Sequence, residues 1–336
     1  MMKIDGFDLN KDVLIIAEIG NNHEGSYALA EEMIGLASQS GAGAVKFQTI
    51  VPEKLVSVLE VERIQQLKKF QLSYNDFEKL SKVAAQEGLI FLSTPFDLDS
   101  VNMLEPLVPA YKIASGDNTF YPLIEAVAKS GKPIILSTGL SDMEQIQLTQ
   151  TFIEDVWEMK NIDQELALLH CIVSYPANVH ELNLMFIKEL QKINDNVGFS
   201  DHSIGIDAAV LAVAMGARII EKHFTIDKNY SDFHDHALSA DPNELSVLVR
   251  RVKETLVMLG DGERSFIASE KEITAKVRRS LVACRDLKVD SRITIDDIIW
   301  VRPGGGIKPG DENKIIGKKL VKSIKRGEKI LLENVV

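Results

Sequence analysis

Short apolar runs alternate with helix-length amphipathic segments from Val13 to about residue 260, the pattern of repeated βα units. Eight runs read as strands: Val13–Ile19, Ala44–Gln48, Leu89–Ser93, Ala110–Ala114, Pro133–Ser137, Leu166–His170, Val197–Ser200 and Arg218–His223. The pattern predicts helices between them, including Tyr27–Ser40, Tyr74–Glu87, Tyr121–Ser130, Asp142–Val156, Asn183–Ile193, Ile206–Met215 and Pro242–Leu259. Several of these lead into the next strand through glycine, which ends a helix in the left-handed conformation. Eight such units predict a closed (β/α)8 barrel, the TIM-barrel fold, with its chemistry at the carboxyl ends of the strands.

Two stretches break the rhythm. Val51–Gln71 is too long for an ordinary connection and reads as a lid or a subunit contact. The charged segment after Gly260 shows no strand pattern and reads as a linker, giving a barrel domain 1–260, a linker 261–279 and a small domain 280–336. In that last part short β-like runs (Leu281–Ala283, Ile298–Val301, Leu320–Ser323, Ile330–Leu332) surround the turn Pro303-Gly304-Gly305-Gly306, and basic residues outnumber acidic ones. A compact, mostly β domain is the simplest assignment.

A chain of 336 residues that is 45% hydrophobic can bury a full core. Its net charge of −11 argues against nucleic acid as a partner. Cys171 and Cys284 are too few for a disulfide framework or a zinc knuckle, which points to a reducing compartment. No signal peptide and no membrane-length apolar run is present in the sequence, so a cytoplasmic location is expected.

Polar residues at the carboxyl ends of barrel strands share one mouth and are read together. Two strands end in histidine, His202 and His223, with one helix-length stretch between them, so their imidazoles belong on neighbouring strands at the same end. That outlines a metal site with open positions for a substrate oxygen; the plainer alternative is a hydrogen-bonded histidine capping each strand. Lys46 and Lys112 are placed to face the mouth, where buried ammonium groups require anions that the strands do not themselves supply. With the hydroxyls of Thr94, Ser115 and Ser200 nearby, a phosphate fits; pairing with Glu18 or Glu221 is the alternative. Gln48 shares a face with Lys46, and Glu221 with His223. Asp235 follows the last strand, and its neighbours His234 and His236 read as ordinary surface histidines of a mobile loop.

The motifs Ala17-Glu18-Ile19-Gly20-Asn21-Asn22-His23-Glu24-Gly25, Lys46-Phe47-Gln48-Thr49, Ser93-Thr94-Pro95-Phe96, Tyr111-Lys112-Ile113-Ala114-Ser115-Gly116-Asp117, Gly198-Phe199-Ser200-Asp201-His202 and Glu221-Lys222-His223-Phe224-Thr225 closely resemble the sialic acid synthase family over nearly the whole chain. Trp300-Val301-Arg302-Pro303-Gly304 and Gly317-Lys318 resemble that family's antifreeze-like (SAF) domain. The resemblance implies condensation of phosphoenolpyruvate with an N-acylated mannosamine-type sugar, giving a nine-carbon keto sugar acid and phosphate. It implies a divalent metal, manganese with magnesium or cobalt as alternatives, on His202 and His223. Lys46, Thr94, Lys112, Ser115 and Ser200 would hold phosphoenolpyruvate. Gln48, Asp117, Tyr175, Glu221 and Asp235 would face the sugar, and Glu18 would handle a proton. The resemblance further implies a homodimer in which Arg302 reaches the acyl group at the partner's site.

Departures from the family pattern fall around the sugar. Ile172-Val173 follows Cys171 where a small polar residue is usual, and Phe233-His234 precedes Asp235. They leave open whether the acceptor is N-acetylmannosamine or a 2,4-diacetamido-6-deoxy hexose. Two other readings remain: a metal-dependent hydrolase on the same barrel, and a non-catalytic carbohydrate- or ice-binding protein. The first usually gathers more histidines at its first strand, and the second leaves the polar mouth without a purpose.

Overall fold

The apolar runs fold as parallel strands of one sheet in the computed structural model, which describes residues 2–263 and 267–336. A hairpin of β1 (Lys3–Ile4) and β2 (Phe7–Asp8) leads into β3 (Leu14–Gly20), β4 (Ala44–Thr49), β5 (Ile90–Pro95), β6 (Tyr111–Ile113), β7 (Ile134–Ser137), β8 (Leu166–Cys171), β9 (Val197–Asp201) and β10 (Ile219–His223). The hydrogen-bonded order is β5-β4-β3-β10-β9-β8-β7-β6, and every ladder is parallel. The end strands β5 and β6 lie against each other, so the sheet wraps into the expected barrel.

The helices outside it are α1 (Tyr27–Gln39), α2 (Pro52–Leu55), α3 (Val61–Phe70), α4 (Tyr74–Gln86), α5 (Leu98–Leu104), α6 (Tyr121–Lys129), α7 (Met143–Lys160), α8 (Phe186–Leu190), α9 (Asp207–Ala214), α10 (His234–Leu238) and α11 (Pro242–Leu259). Their starts follow local chemistry. Ser73 and Asp76 form a capping box on α4, and the side chains of Asp142 and Asp241 accept the first free amides of α7 and α11. The helix expected over Asn183–Ile193 shrinks to α8, because Asn183 sits at φ +40° and cannot join a right-handed turn. The stretch Val51–Gln71, expected as a lid or a subunit contact, contains α2 and α3.

Side chains along each strand divide between two apolar layers. One face packs against the helices, with Ile15, Val45, Phe47, Phe91, Leu168 and Phe199 in that layer. The other face fills the barrel, where Leu14, Ile16, Ala44, Ile90, Leu92, Ile135, Leu169 and Ile219 form the lower core. Met2, Ile4 and Leu9, all fully buried, plug that end, and Asn196 fixes the plug by accepting the Met2 amide (2.8 Å). Nothing in the sequence pattern announced this plug. Two residues further along the same inward face, the apolar side chains give way to Glu18, Lys46, Thr94, Ser137, Cys171 and Glu221.

A second compact unit spans Asp261–Val336. The antiparallel pair β11 (Ser280–Ala283) and β12 (Ile298–Val301) and several isolated bridges surround Leu281, Ile293, Ile298, Ile315, Leu320 and Ile330. Of the runs expected as strands, Leu320–Ser323 contributes one bridge, from Leu320 to Val335, and Ile330–Leu332 forms none, the neighbouring Lys329 bridging Val282 instead. The expected linker 261–279 is corrected over its described part, 264–266 lying outside the described residues: Ala268–Val277 forms helix α12. Its Ala, Glu and Lys content favours a helix even though it buries no side chain. No helix among the described residues is long and apolar enough to cross a membrane.

Candidate active site

The polar ends of the strands enclose a cavity of about 290 Å³ at the carboxyl end of the barrel. Register builds its floor. Glu18 and Lys46 are paired across β3 and β4, and the Lys46 ammonium lies 2.9 Å from Glu18 Oε2, 3.9 Å from Glu221 Oε2 and 3.1 Å from Thr94 Oγ1, to which it donates. Lys112 donates to Ser137 Oγ (2.6 Å) and to the Ile113 carbonyl (3.2 Å), and stands 3.8 Å from Glu221. Ser200, paired with Glu221 across β9 and β10, donates to its Oε1 (2.9 Å). Gln48 donates to Glu18 (3.1 Å) and accepts from Asn21 (3.0 Å). The expectation that the strands leave both lysines without anionic partners is therefore corrected: parallel register places one carboxylate beside Lys46 and a second between the two lysines.

Burial divides the two carboxyls. Burial and repulsion from Glu221 outweigh Lys46 and push Glu18 above the usual carboxylate range. Glu221 feels burial too, but Lys112 and Lys46 together overcome it and hold this group below the ordinary value. Burial drags Lys112 below the usual lysine range despite Glu221, whereas Glu18 and Glu221 keep Lys46 above it. One carboxyl suited to carrying a proton thus lies beside one that stays ionised.

His202 and His223 stand on the other side of the cavity, with ring centroids 5.4 Å apart. His202 Nδ1 contacts the Ile172 carbonyl (2.7 Å); a carbonyl only accepts, so Nδ1 carries a proton, and in the neutral ring Nε2 keeps its lone pair. Burial alone would lower this imidazole, but Cys171 and the Ile172 carbonyl outweigh it and raise it. His223 is buried beside His202 and Lys46, which keep it neutral well below the ordinary histidine value. Its Nδ1 has no hydrogen-bond partner and lies 3.8 Å from Asp235 Oδ2. Two adjacent imidazoles, one with a tautomer fixed by a carbonyl and one held neutral, fit a borderline divalent ion. Among the described residues no third His, Cys, Asp or Glu joins them in a metal-binding group, so substrate and water would complete the shell.

The cavity brings together Glu18, Lys46, Gln48, Thr94, Lys112, Ser115, Tyr175, Ser200, His202, Glu221, His223 and Asp235 of the residues singled out from sequence. Asp117 does not line it; it sits in the 3₁₀ turn Ser115–Asp117, its Oδ2 buried without a hydrogen bond. Arg302 follows β12 in the second unit, exposed. His170, at the end of the run Leu166–His170, turns into the helix layer and bonds the Leu182 carbonyl. The reading of His234 and His236 as surface histidines of a mobile loop is corrected in part. Both belong to α10; His234 is exposed as expected, lining the cavity 2.9 Å from Asp235, whereas His236 is buried against Thr225 and Glu24. Sequence reasoning missed Arg63, Leu67, Phe70 and Phe233 as cavity residues. The signal for the first three was their spacing on one helical face.

A barrel with lysines, carboxylates and paired histidines at its mouth defines an enzyme site of the phosphate-handling TIM-barrel kind. Residues 33–264 match the NeuB family and residues 278–336 the SAF domain, so the chain belongs to the NeuB family. It is 38% identical to the N,N'-diacetyllegionaminic acid synthase of Legionella pneumophila, over 96% of this chain and 94% of that one. It is 35% identical to the pseudaminic acid synthase of Campylobacter jejuni, over 97% of this chain and 98% of that one. The crystal structure of an N-acetylneuraminic acid synthetase from Leptospira borgpetersenii, in complex with citrate, superposes with a TM-score of 0.74 at 37% identity, covering 78% of this chain and 90% of that one.

Proposed function

We propose that this enzyme condenses phosphoenolpyruvate with the open-chain form of an N-acylated mannosamine-type sugar, either N-acetylmannosamine or a 2,4-diacetamido-6-deoxy hexose, and releases phosphate. The observation that carries the reading is one cavity holding Lys46 and Lys112 on its floor and the His202–His223 pair at its side. The names of the three relatives given above, synthases of legionaminic, pseudaminic and N-acetylneuraminic acid, support it.

In this reading Lys46, Lys112, Thr94, Ser115 and Ser200 bind the carboxylate and phosphate of phosphoenolpyruvate. Lys46, Lys112 and Arg63 line the cavity together with Glu18, Glu221 and Asp235, so their formal charges cancel when all three carboxyls are ionised. Phosphoenolpyruvate adds a carboxylate and a phosphate monoester of about −1.5 to −2 charge. That balance supports a divalent ion, manganese or alternatively magnesium or cobalt, held by His202 and His223. When bound, it would supply Lewis-acid polarisation of the sugar aldehyde.

The methylene carbon of phosphoenolpyruvate forms the new bond to the aldehyde carbon, water adds at the adjacent carbon, and the C–O bond to phosphate breaks. Glu18, whose carboxyl is raised by burial, is placed to exchange the proton between water and the new hydroxyl. Glu221 remains ionised and orders the lysines and Ser200 around the phosphate. Gln48, Tyr175 and Asp235 face the sugar. Asp117 remains a candidate for sugar contact only if its turn moves on binding. A cytoplasmic homodimer in which the partner's Arg302 contacts the acyl group belongs to the same proposal. It predicts that Arg302→Ala raises the KM for sugar more than it lowers kcat.

Mass-spectrometric detection of a nine-carbon keto sugar acid from phosphoenolpyruvate and an acylated hexosamine tests the reaction. Products of simple phosphoenolpyruvate or amide hydrolysis would instead favour the hydrolase alternative.

A further inference from the structure

The paired register of β9 and β10 ends at Asp201 and Lys222, and His202 and His223 each lie one residue beyond it. Alternation turns Ser200, His202, Glu221 and His223 into the cavity and sends Asp201 and Lys222 to the opposite face. There the two form an ion pair of 3.0 Å, neither side chain more than 1% exposed. Its contacts reach past the last paired residues. Asp201 Oδ1 accepts from the Ser203 amide (2.8 Å) and from Ser203 Oγ (2.6 Å), and the Lys222 ammonium also donates to the Ser203 carbonyl. His202 therefore sits between two residues gripped by one buried lysine, and that lysine directly precedes His223 in the neighbouring strand. Ile172 and Ala177, in the segment after β8, bond the His202 ring and carbonyl (2.7 and 2.9 Å) but give no link to β10.

Well-packed apolar side chains often match or exceed a buried ion pair in stability. Stability alone thus gives no reason for charges behind the two strand ends, whereas a directional tie sets the spacing of those ends. We infer that Asp201 and Lys222 are positioning residues for the histidine pair: their tie through Ser203 fixes the separation of the His202 and His223 rings, and with it the affinity for a divalent ion. This rests on the metal site proposed above. Neither residue lines the cavity, so both act through the backbone that carries the histidines.

Binding of Mn(II) and Co(II) to the chelator-stripped full-length enzyme without substrates, followed by electron paramagnetic resonance and by visible absorption, tests the inference. The double variant Asp201→Asn with Lys222→Met removes the cross-strand tie, leaves no unpaired charge and keeps an acceptor for Ser203. It should bind either ion at least about tenfold more weakly, the scale of losing a group that orients a metal ligand. Circular dichroism and thermal unfolding check that it folds. Asp201→Asn alone keeps the Ser203 contacts and removes only the charge facing Lys222, so it is the milder variant, with a loss expected in the same direction. Val127→Ala truncates the buried face of α6, away from both strands, and should bind the ions as the parent does. Parent affinity in the folded double variant, or in Asp201→Asn, overturns the positioning role and leaves the metal site standing. An equal loss in Val127→Ala overturns it too, because general loosening then explains the effect. A parent enzyme that binds neither ion overturns the metal reading and this inference together.

Discussion

Lys46 and Glu18 form an ion pair of 2.9 Å almost wholly removed from water, each side chain under 5% exposed. The pair is made by neighbouring parallel strands in register, and it holds the floor of the cavity ready before any anion arrives. Such a pair contributes little net stability, but breaking it strands a buried charge.

Lys46→Met should therefore destabilise the fold by about 3–5 kcal/mol, because Glu18 loses its partner beside Glu221. The double change Lys46→Met with Glu18→Gln should recover a large part of that loss. A urea-unfolding double-mutant cycle measures the coupling; additive effects would show that the pair is not energetically linked.

His202→Ala should lower turnover by about 10³-fold or more while leaving thermal unfolding within a few degrees, since the ring faces a cavity rather than a packed core. Chelation should abolish activity, and added manganese should restore it in the parent enzyme but not in the variant. Full activity after exhaustive chelation would remove the metal from the account.

Burial lowers the His23 imidazole to about 4, and the Gly25 amide donates to its Nδ1 (3.0 Å), a contact that protonation would eject. The ring is neutral when folded and takes up a proton near 6.5 when unfolded, so acid favours the unfolded chain. Its contribution is fully present above about pH 6.5 and is lost as pH falls toward 4, about 3 kcal/mol in all. His23→Gln, which does not titrate, should flatten the stability profile across that window in denaturant titrations. An unchanged slope would show that other groups set the acid limit.

Gly198 faces the lower core on β9. A Cβ there would collide with the Leu169 side chain and sit 2.5 Å from the Ile219 carbonyl oxygen, which the β9–β10 ladder holds in place. Gly198→Ala should cost about 1–3 kcal/mol. A thermal midpoint equal to that of the parent would mean that the barrel wall yields more than its hydrogen bonding implies.

The eight strands were legible because a strand covered on both faces is written as an unbroken apolar run, and each observed strand lies within two residues of its expected run. Once the strands are placed, alternation assigns Lys46 with Gln48, and Glu221 with His223, to the mouth. What escaped was relational. Pairing of Lys46 with Glu18 stood only as an alternative to phosphate, because it depends on the stagger between two strands and no single segment encodes that. The β1–β2 hairpin is too short to show a period, so Met2, Ile4 and Leu9 gave no sign of plugging the barrel. The Arg63–Leu67–Phe70 face lies in a segment read only as an overlong connection. His236 was misjudged because its burial comes from Thr225 and Glu24, distant in sequence or across a turn.

The most direct test of the central claim is phosphate release from phosphoenolpyruvate by the full-length enzyme, measured with and without an acylated hexosamine and with and without chelator. The account predicts release only when sugar and divalent ion are both present, in equal amount to the keto sugar acid formed. Release without sugar, or none with any acylated hexosamine tried, would contradict it.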